Sequence, residues 1–178
     1  MNTNDFKKTD ILGAFLISHQ LFSDERGSFY ESMNLSTLDK LDVPELTQTS
    51  ISNSKYGVLR GMHYQVEEPL IQFVSCIRGE VIDLAVDLRK KSSSFGKTIK
   101  ITLKEDNCQT LYLPTGVAHG FLCLSDKATM LYHICGSYNK KFERGVNYKS
   151  LNFKLPMEPK IINKRDSDFP TFEEAEYL

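Results

Sequence analysis

Apolar and polar residues alternate in short runs along most of the chain. The clearest run is KTIKITL, residues 97–103, where Ile99, Ile101 and Leu103 fall on one face and Thr98, Lys100 and Thr102 on the other. Such a period of two marks a strand with one buried face. The KEDN that follows reads as a turn. IQFVSCIRGEVIDLAVDL predicts two strands, 71–77 and 80–88, joined at Arg78-Gly79. QTLYLP predicts a short strand stopped by Pro114, which has no N–H to give a central ladder. GFLCLSD and ATMLYHICGSYN predict the next pair, with Ser125-Asp126-Lys127 between them. GSFYESM alternates more loosely after a turn at Arg26-Gly27. Helix signals are sparse. The best is STLDKLDV, with Ser36 able to cap and Leu38 and Leu41 on one face. The terminal TFEEAEYL predicts a last short helix. Many short strands with frequent turns predict an all-β sandwich or barrel, such as a jelly roll, with an interior pocket open at one end. No linker, repeat or low-complexity segment interrupts the pattern, so residues 1–178 are expected to form a single domain.

Composition narrows the function classes. Apolar residues make up 40% and charged residues 25% of the 178, enough for a sizeable core with an ordinary polar surface. The formal net charge is −1, so no bulk field favours nucleic acid or a membrane surface as a partner. No apolar run could span a bilayer, and MNTNDFKKTD has no secretory h-region. The four cysteines, Cys76, Cys108, Cys123 and Cys135, form no CxxC pair and no zinc-type spacing. They are expected to be reduced, buried thiols in a cytoplasmic protein.

Candidate chemistry centres on histidine. His19 reads as a surface or satisfied residue, and His133 should face opposite to Tyr132 by strand alternation. His63 in RGMHYQ and His119 in VAHGF each lie near glycine and among apolar residues. Each is either a hydrogen-bonded core residue or a base aimed into a pocket. Metal binding would need three or four protein ligands, and the stretch His63-Tyr64-Gln65 lacks the second histidine of an H-x-H cluster, so no metal is expected. The acidic stretches SDERGSFYE and NKRDSDFP carry several carboxylates, and nothing local to them says which one matters.

Five stretches, FSDERGSFYES, GVLRGMHYQ, RGEVIDLAVDLRKKSSSFGK, LYLPTGVAHGFLCLSD and NKRDSDFP, run in one order from about residue 20 to 170. Together they resemble the thymidine-diphosphate-4-keto-6-deoxyglucose 3,5-epimerase family of deoxysugar biosynthesis. The resemblance implies a cupin-type jelly roll, a homodimer with strands exchanged between subunits, a nucleotide-diphosphate keto-sugar as substrate, and catalysis without metal or organic cofactor. It implies that His63 is the base, Asp166 its orienting carboxylate and Tyr132 the general acid. His119 resembles the family's second pocket histidine, and Tyr138 a tyrosine that packs on the sugar. Arg26, Glu31, Gln48 and Arg60 fall where the family contacts the nucleotide diphosphate or the sugar.

The residue types suit that chemistry. Protons on C3 and C5 of a 4-keto sugar are acidic because their loss leaves an enolate. A base near neutral pKa must take one, which suits histidine. A carboxylate on the other ring nitrogen fixes the tautomer, donors must meet the charge growing on the C4 oxygen, and a hydroxyl must return a proton from the opposite face.

Three departures stand out. The family usually has lysine in the strand after the histidine motif, whereas Gln72 stands here and no lysine lies between residues 56 and 89. An amide still donates a hydrogen bond but carries no charge. Ser50 stands where asparagine is common, and the family's aromatic-Asn-Asp turn and aromatic-Pro pair are replaced by Tyr148-Lys149-Ser150 and Lys154-Leu155-Pro156. These changes leave the nucleotide and the number of inverted centres open. They also leave room for a sugar-nucleotide-binding cupin with little turnover, or a sugar-nucleotide 3,4-ketoisomerase.

Overall fold

The structure, a computed structural model, describes residues 4–178. In chain order the strands are β1 (Asp5–Lys8), β2 (Phe15–Ser18), β3 (Phe22–Asp24), β4 (Gly27–Phe29), β5 (Gln48–Lys55), β6 (Leu59–Gln65), β7 (Ile71–Arg78), β8 (Glu80–Asp87), β9 (Thr98–Lys104), β10 (Gln109–Leu113), β11 (Val117–Cys123), β12 (Lys127–Cys135) and β13 (Glu143–Gly145). Two short helices, α1 (Leu35–Leu41) and α2 (Lys164–Ser167), are peripheral. A six-stranded sheet ordered β1-β2-β10-β7-β12-β5 faces a five-stranded sheet ordered β13-β6-β11-β8-β9. Every ladder within the two sheets is antiparallel, as the expected cupin-type jelly roll requires.

Alternation along the strands sorts the side chains into three layers. Val74, Leu111, Phe121 and Met130 pack between the sheets with Ile99 and Leu103, the inward residues of the KTIKITL run. Met62, Tyr64, Leu84, Val86 and Leu122 form a second cluster, covered by Val146, Leu151 and Ala175 from the C-terminal third. Ile17, Phe73, Tyr112 and Cys135 form the third, under Leu38 and Leu41 of α1. Because Met62 and Tyr64 belong to the second cluster, His63 between them faces the other way, toward the opposite sheet.

Three local expectations are corrected. The cap of α1 is Asn34, not Ser36; its side chain accepts from the Thr37 N–H, so the helix starts two residues early. The hairpin turn is Glu25-Arg26, and Gly27 already begins β4. TFEEAEYL forms no α-helix. Its aromatics pack on Phe95 instead, with Phe172 and Tyr177 at 5.7 and 5.0 Å, and Leu178 N–H bonds to Leu88 O, so tertiary contacts outweigh a weak local propensity. The four cysteines are free and buried. No helix among the described residues is long and apolar enough to cross a membrane.

Candidate active site

A cleft opens at one end of the sandwich. His63 and Gln65 of β6, Gln72 of β7, Ile134 of β12 and Glu143 of β13 wall it, together with Leu70 and Tyr138 from the adjoining loops. His63 is the middle of a row across the five-stranded sheet. Its cross-strand neighbours are Gly145 on β13 and His119 on β11.

Asp166 arrives from α2, 103 residues downstream. The Asn163 side chain caps that helix by accepting from the Asp166 N–H. Two hydrogen bonds then fix the carboxylate: Oδ2 accepts from the Gly61 N–H at 2.9 Å, and Oδ1 meets His63 Nε2 at 2.9 Å. The Asp166 side chain is fully buried. Burial alone would raise its pKa. The hydrogen bonds from His63 and Gly61, with the positive charge of His63 and Arg165, outweigh that cost and hold it below the usual carboxylate range. An ionised Asp166 only accepts, so Nε2 carries the shared proton and Nδ1 keeps a free lone pair. Arg165 braces the group, donating through Nη1 to Glu143 at 2.9 Å and through Nε to Asp166 at 3.3 Å. Its Nη2 lies 3.1 Å from His63 Nε2. With a proton on Nε2 both atoms are donors, so this approach is proximity rather than a hydrogen bond.

His119 belongs to a second, buried pair. Both carboxylate oxygens of Asp83 lie 3.0 Å from its Nε2. Burial raises the Asp83 pKa, with the charge and hydrogen bond of His119 pulling against it. Tyr132 reaches in from β12 on the facing sheet, its ring edge-on to His119 at 6.1 Å and its hydroxyl 3.5 Å from Ser52 Oγ. Burial pushes its pKa up to about 12, the Ser52 contact opposing weakly, so the phenol stays protonated near neutrality. His119 and Tyr132 contact each other beside the cleft, outside its lining. His133, next in sequence, bonds instead to Thr49 through Nδ1, as alternation predicts.

The remaining candidates separate into two groups. Tyr138 and Gln72 line the cleft, and the Tyr138 hydroxyl donates to Glu143 at 3.0 Å. Arg60 is exposed and donates to Ser54 Oγ and Asn53 O, while Gln48 donates to Ser50 Oγ at 2.7 Å. Arg26 and Glu31 lie outside the cleft wall. Arg26 is 85% exposed and pairs with Asp24 in the β3–β4 hairpin, and Glu31 accepts from Asn34. Sequence reasoning missed Asp83, Glu143 and Arg165. A carboxylate inside the apolar run VIDLAV was the available signal for Asp83, since a buried charge demands a partner. Glu143 and Arg165 lie in ordinary polar loop text and carried no such signal. The described residues hold no group of three or more His, Cys, Asp or Glu arranged for a metal ion.

Comparison with known proteins agrees with this geometry. Residues 8–174 match the family model described as dTDP-4-dehydrorhamnose 3,5-epimerase. The chain is 39% identical to the dTDP-4-dehydrorhamnose 3,5-epimerase of Shigella flexneri, over 96% of this chain and 97% of that one. The crystal structure of the enzyme of that name from Elizabethkingia anophelis superposes with a TM-score of 0.90 at 36% identity, covering 98% of this chain and 99% of that one. The dTDP-6-deoxy-D-glucose 3,5-epimerase of Legionella pneumophila, solved in complex with dTDP-4-keto-L-rhamnose, superposes with a TM-score of 0.93 at 30% identity, covering 98% and 95%. The fold, the cleft and these likenesses agree: the chain belongs to the dTDP-4-dehydrorhamnose 3,5-epimerase family.

Proposed function

We propose that this protein is an epimerase of a nucleotide-linked 4-keto-6-deoxyhexose, with a thymidine diphosphate carrier, inverting C3, C5 or both through an enolate. The observation that carries the reading is the His63–Asp166 pair on the cleft wall, with the protonated Tyr132 on the facing sheet in ring contact with His119, the cross-strand neighbour of His63. Inversion needs a base and an acid on opposite faces of one carbon, and the two sheets of the sandwich offer those two faces.

His63 Nδ1 takes the proton from the carbon alpha to the C4 carbonyl, and the electron pair moves onto the carbonyl oxygen. Asp166 holds the Nε2–H tautomer and offsets the charge of the imidazolium that forms. Gln72 offers the enolate oxygen a neutral N–H from the cleft wall. Tyr132 then gives its hydroxyl proton to the other face of the carbon. Tyr138 packs against the sugar. Gln48 and Arg60 receive the nucleotide diphosphate, and His119 holds its place beside both His63 and Tyr132.

Arg26 and Glu31 complete the reading only in a homodimer. The β3–β4 hairpin pairs with neither large sheet, and Phe22 and Phe29 on it are 45% and 63% exposed. A hairpin so placed suits exchange with a second copy, which supports bringing Arg26 and Glu31 to a partner's substrate. The whole of 1–178 acts as one epimerase domain.

The uncharged Gln72 favours a second reading, a sugar-nucleotide-binding cupin with little turnover. Incubation in D₂O with a panel of nucleotide-linked 4-keto-6-deoxy sugars, followed by NMR at C3 and C5, decides between them. Deuterium at either carbon together with inverted configuration there supports the epimerase. Binding without exchange in the wild-type protein overturns it.

A further inference from the structure

Gly145, cross-strand from His63, has no side chain, and the ring of Phe169 fills the space it leaves. A Cβ built on Gly145 would meet Phe169 ring carbons at 2.2–2.3 Å, closer than any real contact. The ring stands edge-on to His63, with centroids 5.6 Å apart and planes at 83°. Its other attachments are equally specific. The Arg165 guanidinium lies 5.8 Å from the ring centroid. Asn147 clamps the segment on both sides of Phe169, its N–H donating to Pro170 O at 2.8 Å and its side-chain amide to Ser167 O at 3.0 Å.

We propose that Phe169 is a positioning residue for His63, and that residue 145 is glycine because the positioning ring occupies its side-chain space. The proposal rests on reading His63 as the base. Asp166 holds one end of the imidazole through a single hydrogen bond, which leaves the ring free to rock about that bond. An aromatic wall on its flank removes that freedom and keeps Nδ1 aimed at the carbon. Phe169 does not line the cleft, so it acts through His63 rather than on the sugar.

The test compares Phe169→Ala, Phe169→Leu, Gly145→Ala and the double variant Gly145→Ala/Phe169→Ala with the wild type. The substrate is thymidine-diphosphate-4-keto-6-deoxyglucose in D₂O. Misplacement of a catalytic group by about an ångström costs up to about 10²-fold. Phe169→Ala is therefore expected to lower kcat by about 10- to 100-fold with little change in KM, and Phe169→Leu to restore part of it. Gly145→Ala is expected to lose activity as well, and the double variant to be no worse than Phe169→Ala, because removing the ring frees the space. Equal kcat in Phe169→Ala and wild type overturns the proposal while the epimerase reading stands. If the wild type exchanges nothing, the epimerase reading fails instead. The positioning is then decided by NMR relaxation of the His63 ring: added ring mobility in Phe169→Ala, with the Nε2–H tautomer kept, supports it, and ring dynamics equal to the wild type overturn it.

Discussion

His63 Nε2 and Asp166 Oδ1 stand 2.9 Å apart although 103 residues separate them in the chain. The same carboxylate holds the Gly61 N–H, two residues before the histidine, so one side chain sets both the ring and the backbone that carries it. Asp166→Asn keeps the shape and removes the charge. Its amide has one acceptor for two donors: either the NH₂ group meets His63, facing Nε2–H or forcing the other tautomer, or the oxygen keeps Nε2–H and the NH₂ group faces the Gly61 N–H. Deuterium uptake at the sugar carbons is expected to fall by about 10²-fold or more, with the fold retained by circular dichroism. A wild-type rate in this variant would remove Asp166 from the mechanism.

Tyr132→Phe separates the two half-reactions. In the proposed mechanism His63 abstracts the proton without the phenol, so deuterium is expected to enter the substrate with retained configuration. Inverted product is expected to fall by about 10²-fold. The role proposed for Tyr132 requires the acid form, and with a pKa raised to about 12 the phenol remains protonated up to strongly alkaline pH. The rate–pH profile should therefore show no alkaline loss from this group below about pH 11. A Tyr132→Phe variant that inverts at full rate would assign the acid elsewhere.

Gln72→Lys places a cation on the cleft wall, where the proposed mechanism brings the enolate charge. Charge-assisted hydrogen bonds are roughly twice as strong as neutral ones, so the exchange rate is expected to rise about tenfold. Stopped exchange followed by NMR reads this directly. A fall in rate would mean that Gln72 is used for its neutral amide, and would argue for a substrate that excludes a cation there.

Acid stability should report on Asp87. Its buried carboxylate accepts from the Arg89 backbone and guanidinium and from Ser92 and Ser94, and these bonds overcome the upward push of burial and lower its pKa to about 2. The folded pKa lies below the ordinary 3.8, so the stabilisation is fully present above about pH 4 and is lost as pH falls toward 2. Its size is about 2 kcal/mol. Asp87→Asn is expected to lower stability by about that amount at pH 7 and by much less at pH 2.5, as read from urea midpoints. Equal losses at both values would show that the carboxylate's charge contributes nothing.

Strand content was legible in two ways: KTIKITL, buried on one face, shows a period of two, whereas QTLYLP and the run 71–88, buried along most of their length, show short apolar runs bounded by Pro or Gly. KTIKITL, QTLYLP and the run 71–88 all appear within a residue or two of their predicted bounds. β5 was missed. Its run QTSISNSK is exposed along most of its length, Ile51 included, so no buried face leaves an apolar pattern in the text. The last helix was over-read because TFEEAEYL has helical residues but spends its aromatics on Phe95.

The class of fold was legible in local pattern and the family in ordered motifs, and it was the family resemblance that pointed to the His63–Asp166 pair. Tertiary structure alone decided which partners surround the dyad. Asp83 under His119, Glu143 and Arg165 beside His63, and Phe169 in the space of Gly145 are contacts between residues far apart in the chain. No local periodicity encodes such contacts, because they depend on which strands become neighbours in the sheets and on where the C-terminal segment returns to pack.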